Sequence, residues 1–357
     1  MLGISIYLGN TPIEQQIPYI RKMKESGFHS IFTSLHIPED DQTVYKEQLQ
    51  ALGKAASELD MELMADISPN SLQTLGFNWE NADQLLNWGL SGLRIDYGID
   101  DQTIIDLSHK MRVALNASTI DVDALNHLRA NGLHMEAVEA WHNYYPRPES
   151  GLGSVDFIQK NKALKEAGLT VMAFIPGDKQ LRGPLYEKLP TLEQHRGYSP
   201  FAAYLELEKF GEVDKIVVGD VEIGEDSLKQ FQAYIQKDEI LIRAVSDKRA
   251  DSEIIRKAAA AMTNRADYAR DCIRAVESRS YAQFGESGVQ AQNNTERPAG
   301  SVTIDNEKYL RYQGEIQITL ADLPADERVN VLGQVIENDL PLLPWIEGNQ
   351  RFRIEWL

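Results

Sequence analysis

Short apolar runs alternate with longer amphipathic stretches along the first two thirds of the chain. Eight such runs occur before about residue 236: GISIYLG, SIFTSLHI, MELMADIS, GLRIDYG, RVALNAS, LHMEAVEAWHN, LTVMAFIP and DKIVVGDV. The stretches between them carry helix signals, as in PIEQQIPYIRKMKESG, where Gly27 supplies a glycine C-cap. Eight strand–helix pairs in succession predict a (β/α)8 TIM barrel, an α/β fold.

A doubly wound open sheet is the alternative to the barrel. Such a sheet typically has fewer strands, and a dinucleotide-binding member carries a glycine-rich loop after its first strand. Here no such loop follows the first apolar run. The barrel is therefore the favoured fold, and no cofactor is expected.

The pattern changes after GEDSLKQFQAYIQ, the predicted last barrel helix. One helix-like stretch, DSEIIRKAAAAM, is followed by the β-type runs GSVTIDNEKYLRYQGEIQITL, RVNVLGQVI and QRFRIEW, with turns at DNE, PADE and EGN. We predict a barrel domain over residues 1–237 and a smaller, mainly β domain over residues 238–357, which forms a closed barrel.

Composition narrows the possible partners. The chain of 357 residues has a formal net charge of −18, which argues against general binding to nucleic acid or to anionic membranes. Its single cysteine, Cys272, excludes an internal disulfide. No apolar run approaches the roughly 18–20 residues that span a bilayer, and the first residues do not resemble a signal peptide. We expect a cytoplasmic protein that does not bind membranes.

Ionisable and amide side chains gather where the predicted strands end, whereas the amino-terminal halves of the strands are mostly apolar by comparison. In a barrel of this type the carboxyl ends of the strands form the active site. The residues found there, or in the loops that follow, are His36, Glu39, Asp66, Asp96, Asn116, His142, Asn143, Glu193, His195, Arg196 and Asp220.

The fourth run, SGLRIDYG, places Arg94 and Asp96 on the same face of a strand that otherwise looks buried. Two buried charges are costly unless they are paired or serve a function. The pair is either a structural ion pair or a catalytic carboxylate that Arg94 holds ionised.

The other carboxylates have ordinary structural alternatives. Asp66 and Asp220 both precede predicted helices, so each is either a helix N-cap or a functional group. Glu39 is either a solvated loop residue or a catalytic acid. No His-x-His pair or Glu/His cluster has ligand spacing, so we predict no metal.

Several carboxylates around a barrel mouth suit glycoside hydrolysis, which uses one carboxyl group as acid and a second as nucleophile or base. The nearby polar and aromatic residues fit a sugar substrate. Asn116 and Asn143 are candidate sugar contacts, and Trp141, Tyr144 and Tyr145 offer stacking surface or plain packing. His142 is expected to position a loop or the substrate. Three further residues could bind a phosphate or carboxylate: Arg147, His195 and Arg196.

The chain resembles the bacterial 6-phospho-N-acetylmuramidases. The resemblance lies in FTSLHIPEDD, ADISP, GLRIDYG, LNAST, HNYYPRPESGL and PTLEQHR, and in TIDNEKYLRYQGEIQI and DERVNVLG of the second domain. It implies a TIM barrel followed by a cyclophilin-like β-barrel. It also implies cytoplasmic hydrolysis of 6-phospho-N-acetylmuramyl-N-acetylglucosamine, an anionic phosphorylated disaccharide, during peptidoglycan recycling.

Within the matched motifs, Asp66, Asp96, Glu193, His195 and Arg196 are the candidate site residues. GLRIDYG also looks like the fourth-strand segment of α-amylase-type barrels, which suggests Asp96 as nucleophile or charge-stabilising carboxylate. Glu193 or Glu39 is then the proton donor, and Asp66 is a further candidate.

The second domain offers its own cations to an anionic substrate. Arg297 and Arg311 are candidate contacts, with Tyr309 and Tyr312 beside them, although arginine and tyrosine are also common on β-barrel surfaces. The last barrel helix returns the chain to the rim away from the active site. The second domain must therefore fold back along its own barrel or serve a neighbouring subunit, so the protein is a possible homo-oligomer.

Two other functions remain open from the residues alone. One is a different phosphosugar enzyme on the same barrel, such as an isomerase, epimerase or aldolase. An aldolase needs a Schiff-base lysine, and none of the eight runs ends in lysine. The other is a phosphosugar-binding protein without activity, which would bind the disaccharide without releasing N-acetylglucosamine.

Overall fold

Eight parallel strands close into a barrel in the first part of the chain. A computed structural model describes residues 1–9, 11–35, 44–95, 99–278 and 288–357. The strands pair in chain order, and β1 closes the barrel on β8. Their bounds are β1 Leu2–Ser5, β2 Phe28–Ser34, β3 Glu62–Ile67, β4 Gly92–Ile95, β5 Arg112–Asn116, β6 Val138–Trp141, β7 Thr170–Ile175 and β8 Lys215–Val218. The predicted (β/α)8 barrel is confirmed.

Helices connect the strands as the apolar periodicity predicts. Their bounds are α1 Ile13–Glu25, α2 Tyr45–Glu58, α3 Pro69–Thr74, α4 Asp101–Ser108, α5 Val122–Ala130, α6 Ser154–Glu166 and α7 Pro200–Phe210, with 3-10 helices at Ala82–Trp88, Met135–Ala137 and Glu193–Gly197. Gly27 follows α1 with a φ of 95°, a conformation that glycine adopts without strain. Side chains of Asp100 and Asp121 cap α4 and α5.

The chain forms two compact units, Met1–Gly224 and Glu225–Leu357. Helix α8, Glu225–Lys237, opens the second unit. The predicted boundary at residues 237 and 238 falls after this helix instead of before it. Over the described ranges, no helix is both long enough and apolar enough to cross a membrane.

The second unit is built on a seven-stranded sheet. Its strands are β9 Glu239–Ser246, β10 Met262–Thr263, β11 Cys272–Arg274, β12 Ser301–Asp305, β13 Ile316–Thr319, β14 Val329–Val335 and β15 Arg351–Trp356. They lie in the order β10-β15-β9-β14-β12-β13-β11, and a bridge between Asn264 and Ala275 links residues beside the two edge strands, so the sheet nearly closes. Helix α9, Ser252–Ala258, and 3-10 helices Glu307–Tyr312 and Glu337–Trp345 complete the unit. The predicted mainly β fold is confirmed.

A buried ion pair ties α8 to this sheet. Arg243 of β9 donates to Asp339 through Nε at 2.9 Å and through Nη2 at 2.7 Å. Gln230 of α8 donates to the same carboxylate at 2.9 Å and to the Leu241 carbonyl. The two charges are therefore compensated, and a polar side chain from the helix completes the set of donors.

Strand β9 is one element that the sequence pattern did not single out. It pairs with β15 in parallel and with β14 in antiparallel, so it lies near the middle of the sheet. The chain passes from α8 to β9 through a single residue, Asp238, which adopts a φ of 51°. Because no glycine or proline marks this transition, the sequence offers little warning of it.

Candidate active site

A layer of apolar side chains fills the barrel midway along its strands. It consists of Phe32, Met64, Ala114, Trp141, Met172, Phe174 and Val217. Side chains alternate between the two faces of a strand, so residues two positions before or after a member of this layer also point inward. We call the inward positions toward the carboxyl ends of the strands the mouth, and those toward the amino ends the floor.

Two mouth residues on neighbouring strands form a buried ion pair. Asp66 of β3 lies in register with Arg94 of β4. The Arg94 Nη1 atom donates to Asp66 Oδ1 at 2.8 Å, with only 4% and 8% of the two side chains exposed. Arg94 Nη2 also donates to the amide oxygen of Asn143. The charge-assisted bonds hold the three polar groups together at the mouth.

The structure also decides between the two interpretations of Asp66. The N-cap of α3 is Ser68, whose hydroxyl accepts the backbone N–H of Ser71. Asp66 is thus not a cap for this helix. Its carboxylate pairs with Arg94 instead and borders the mouth cavity.

This trio borders a cavity of about 280 Å³ at the mouth. The lining residues are Phe32, Asp66, Arg94, Asn143, Tyr144, Tyr145 and Phe174. Burial raises the pKa of the Tyr144 hydroxyl, so this group stays protonated at neutral pH. The cavity therefore combines ion-paired and amide groups on one side with aromatic surface on the other, a composition that suits a sugar ring.

The three aromatic candidates have different positions. Tyr144 and Tyr145 border the cavity. Trp141 belongs to the apolar layer below it and is 2% exposed, and its indole N–H donates to Glu139 at 2.7 Å. Trp141 is therefore a packing residue, as the structural alternative proposed.

Glu193 and Arg196 form a network that connects two loops. The Glu193 carboxylate accepts from the backbone N–H groups of Glu149 and Gly151, each at 2.8 Å, and from Nε and Nη2 of Arg196. Side-chain hydrogen bonds from Arg196 are the main cause that lowers the pKa of Glu193 to about 2. A Cβ atom at Gly151 would lie 2.6 Å from the Glu193 carboxylate, so this close approach requires glycine.

This network corrects two predictions. A carboxyl group with a pKa of about 2 holds no proton at neutral pH, so Glu193 is a poor proton donor. Every nitrogen of the Arg196 guanidinium already donates, to Glu193 or to the carbonyls of Glu187, Lys188, Tyr145 and Arg147. Arg196 therefore has no free edge for a substrate phosphate.

The two candidate histidines lie away from the cavity. His142 is 1% exposed and packs against Phe157 of α6, and its Nε2 lies 2.7 Å from Asn161 Oδ1. Burial lowers the pKa of His142 to about 4. His195 is completely buried, and its Nε2 lies 3.7 Å from Glu206 of α7. Both side chains pack between helices and the barrel, so the contacts favour a positioning role for them over direct contact with a substrate in this cavity.

Other predicted residues are distributed more widely. Asn116 accepts the backbone N–H of Ser118 at 2.9 Å and lines a separate groove beside α4 and α5. Arg147 is exposed. Arg297 and Arg311 belong to the second unit, where Arg297 donates to the Pro324 carbonyl and Arg311 to the Tyr312 hydroxyl. Asp96 and Glu39 lie outside the described residues, so their predicted roles stay predictions.

The loop after β7 carries Arg182, which the sequence pattern does not single out, and it is held by Asp220. Asp220, which follows β8, accepts the backbone N–H groups of Gly177, Arg182 and Leu189 at 2.9–3.0 Å. It organises this loop and is not the cap of a following helix. The Arg182 guanidinium lies 4.1 Å from the centre of the Tyr7 ring, just beyond the end of β1. Long loops obscure such contacts, because nothing in their sequence fixes which strand end they meet.

The floor contains charges that the sequence analysis underestimated. Lys215 of β8 lies 2.7 Å from both Glu62 of β3 and Glu139 of β6, and Arg112 of β5 lies 3.0 and 3.2 Å from the same carboxylates. The expectation that the amino-terminal halves of the strands are mostly apolar is therefore wrong at these positions. Side chains of opposite charge can be buried at the end of a barrel when they form ion pairs with one another.

A metal site needs several His, Cys, Asp or Glu side chains grouped around one point. In the ranges given above, no set of three or more such side chains could hold a metal ion.

Comparison with known proteins gives a match along both units. The family model for the N-terminal part of the 6-phospho-N-acetylmuramidases matches residues 2–233, and that for the C-terminal part matches residues 239–355. A conserved Enterococcus faecalis protein of unknown function is 42% identical with a TM-score of 0.89, over 100% of this chain and 96% of that one. An uncharacterized B. cereus protein is 25% identical with a TM-score of 0.73, over 99% of both chains. No curated protein matches the sequence.

Proposed function

Because the chain belongs to the 6-phospho-N-acetylmuramidase family, we propose that it is a cytoplasmic glycoside hydrolase of peptidoglycan recycling. Its substrate is 6-phospho-N-acetylmuramyl-N-acetylglucosamine, and its products are N-acetylmuramic acid 6-phosphate and N-acetylglucosamine. The observation that carries the proposal is the buried Asp66–Arg94 pair beside an aromatic-lined cavity at the barrel mouth. Hydrolysis of a glycosidic bond needs a carboxylate in such a place.

The contacts favour a role for Asp66 as the charged carboxylate of the reaction. An ion-paired carboxylate suits a nucleophile or a group that stabilises the oxocarbenium-like transition state better than it suits a proton donor. Arg94 neutralises this charge, and Asn143 fixes the orientation of the guanidinium. With Glu193 committed to its loop network, Glu39 is the remaining first choice of proton donor from the sequence, and Asp96 keeps its sequence-based candidacy as nucleophile or charge-stabilising carboxylate.

The test is release of N-acetylglucosamine from the synthetic phosphorylated disaccharide by the purified chain. The same disaccharide without its phosphate is the substrate control, and Asp96→Asn and Glu193→Gln are compared with the wild type. We expect turnover of the phosphorylated compound, and loss on the order of 100-fold or more in Asp96→Asn if that residue takes part in proton transfer or attack. Binding of the disaccharide without release of N-acetylglucosamine would falsify the hydrolase and favour a binding protein.

The stereochemical course identifies the mechanism independently of mutation. Proton NMR of the first product formed distinguishes retention from inversion before the sugar mutarotates. Retention requires carboxyl groups about 5–5.5 Å apart, and inversion requires about 6.5–9.5 Å. An isomerised or epimerised sugar in place of two hydrolysis products would instead support a different phosphosugar enzyme.

A further inference from the structure

Among the described residues, one cation beside the barrel mouth has no acidic partner. The guanidinium of Arg182 lies over the Tyr7 ring at 4.1 Å from its centre. Among the residues that the structure describes, no carboxylate lies within ion-pair distance of it, although many other arginine and lysine side chains of this acidic protein are paired. A half-buried cation without a counterion at a barrel mouth can attract an anionic ligand.

The position of Arg182 is fixed by the backbone of its loop. Its own N–H donates to Asp220 Oδ1 at 3.0 Å, and its carbonyl accepts from Tyr186. In the same loop, Tyr186 and Lys188 adopt positive φ values of 57° and 65°, a conformation that residues other than glycine rarely adopt. Asp220 accepts two further backbone N–H groups, so its carboxylate serves the loop and does not pair with the guanidinium. The loop is thus held in one shape by the residue that follows β8.

The aromatic neighbours leave the hydrogen-bonding edge of Arg182 available. A guanidinium stacked on a ring keeps its N–H groups in its own plane, directed away from the ring. The Tyr7 hydroxyl donates to the Gly219 carbonyl, which holds the ring in place. Tyr144, which lines the mouth cavity, is an electrostatic neighbour of Arg182 and also of Asp66 and Arg94. Tyr7, the ring under Arg182, packs with Tyr144, so Arg182 lies over a ring that packs against the aromatic lining of the cavity.

We propose that Arg182, stacked on Tyr7 and held by Asp220, forms a subsite that binds the phosphate group of a phosphorylated sugar. The planar guanidinium matches a phosphate with two parallel hydrogen bonds. The loops after the seventh and eighth strands are also where barrels of this type often bind phosphate. This inference rests on the proposed function for the identity of the sugar, but not for the binding of phosphate.

The test measures binding of N-acetylmuramic acid 6-phosphate and of N-acetylmuramic acid by titration calorimetry. The proteins are the wild type, Arg182→Gln, Arg182→Lys and Lys179→Gln. Lys179 lies in the same loop and pairs with Glu222, so its variant controls for the loss of one positive charge. We expect Arg182→Gln to lose about 10- to 100-fold in affinity for the phosphorylated sugar and little for the other, with Arg182→Lys intermediate. Thermal unfolding checks that each variant is folded.

Inorganic phosphate, titrated by 31P NMR, separates the subsite from the proposed function. If phosphate binds in an Arg182-dependent way while neither muramic acid sugar binds, the subsite stands and the proposed substrate is wrong. The subsite proposal is wrong if Arg182→Gln loses equal affinity for both sugars. It is also wrong if Lys179→Gln loses as much affinity for the phosphorylated sugar as Arg182→Gln does. The same conclusion follows if Arg182→Gln binds every phosphate compound with the affinity of the wild type.

Discussion

The two ends of one barrel interior use buried charge in opposite ways. At the floor, Lys215 lies between Glu62 and Glu139, and Arg112 reaches both carboxylates from the rim. At the mouth, the Asp66–Arg94 pair borders an open cavity of about 280 Å³. Both ends lie on the same strands and have the same alternation of faces, but the charged groups at the mouth border a space that a ligand can fill, whereas those at the floor pair with one another.

The difference shows that a buried charge on a strand does not by itself indicate a catalytic site. The four floor residues satisfy one another, and the Trp141 indole occupies the second oxygen of Glu139. Such a closed network stabilises a structure or specifies its pairing but has no group left for a substrate. What distinguishes the mouth is adjacent empty volume together with polar groups that remain accessible from it.

The largest expected effect is the loss of stability when a buried charge of the floor is removed. Lys215→Met leaves two buried carboxylates that Arg112 alone, about half exposed, cannot neutralise. We expect a loss of about 3–5 kcal/mol in the free energy of unfolding, measured by urea denaturation. Arg112→Met is the matched control on the same network, and its exposed side chain predicts a loss of about 1 kcal/mol or less.

A compensating change keeps this prediction testable if Lys215→Met does not fold. Adding Glu62→Gln removes one of the two carboxylates, so Arg112 can pair with the other and part of the stability should return. Equal stability of Lys215→Met and Arg112→Met would show that the floor charges are effectively solvated.

The second prediction compares two carboxylates on the inward face of β3. Asp66→Asn changes the mouth, and Glu62→Gln changes the floor two inward positions below it, with Met64 of the apolar layer between them. We expect Asp66→Asn to lose on the order of 100-fold or more in kcat, and also a few kcal/mol of stability because it removes the negative charge that is paired with the buried Arg94 guanidinium. Glu62→Gln should instead lose about 1–3 kcal/mol of stability and keep kcat/KM within about threefold of the wild type. If Glu62→Gln lost most of its activity while Asp66→Asn kept it, the roles assigned to the floor and the mouth would be exchanged.

The smallest effect is expected for Glu193→Gln in the loop network. Because the pKa of Glu193 is lowered to about 2 in the folded protein, its stabilising contribution is complete above its ordinary pKa of 4.5 and disappears as the pH falls toward 2. The variant should lose about 1 kcal/mol at neutral pH, since this side chain is about one-third exposed.

Two measurements test this assignment. Unfolding curves of wild type and Glu193→Gln should converge as the pH falls toward 2, and activity should drop less than about tenfold with an unchanged pH profile. Loss of the basic limb of the pH–rate profile in Glu193→Gln would restore its role as the proton donor.

The fold was largely predictable because apolar runs and helix signals alternate with a regular period. Asp66 and Asn143 were found because they stand where a strand ends, and Arg94 because strand alternation places it on the same face as Asp96. The pairing of Arg94 with Asp66 was not predicted, because a cross-strand contact depends on register and the sequence pattern shows only neighbours along one strand. His142 was misplaced for a related reason: one position along β6 decides whether a side chain enters the barrel or packs under a helix.

Loop residues were the least predictable part of the site. Glu193 and Arg196 stand in a motif with many polar residues, and only the close approach of Gly151 shows that their hydrogen bonds are used within the loops. Arg182 was passed over because a long loop can bring it to any strand end. The ring on which it lies, Tyr7, is part of an apolar run in the sequence.

Trp141 gives the barrel an internal optical reporter. Its indole N–H is bonded to Glu139 at the floor, with the Lys215 ammonium 5.8 Å from its ring centre, while its ring packs on Phe32, which contacts Tyr144 of the mouth. The emission wavelength of an indole responds to nearby charge and to water. A chain in which the other four tryptophans are replaced by phenylalanine would therefore let one fluorophore register both a broken floor network and an occupied mouth.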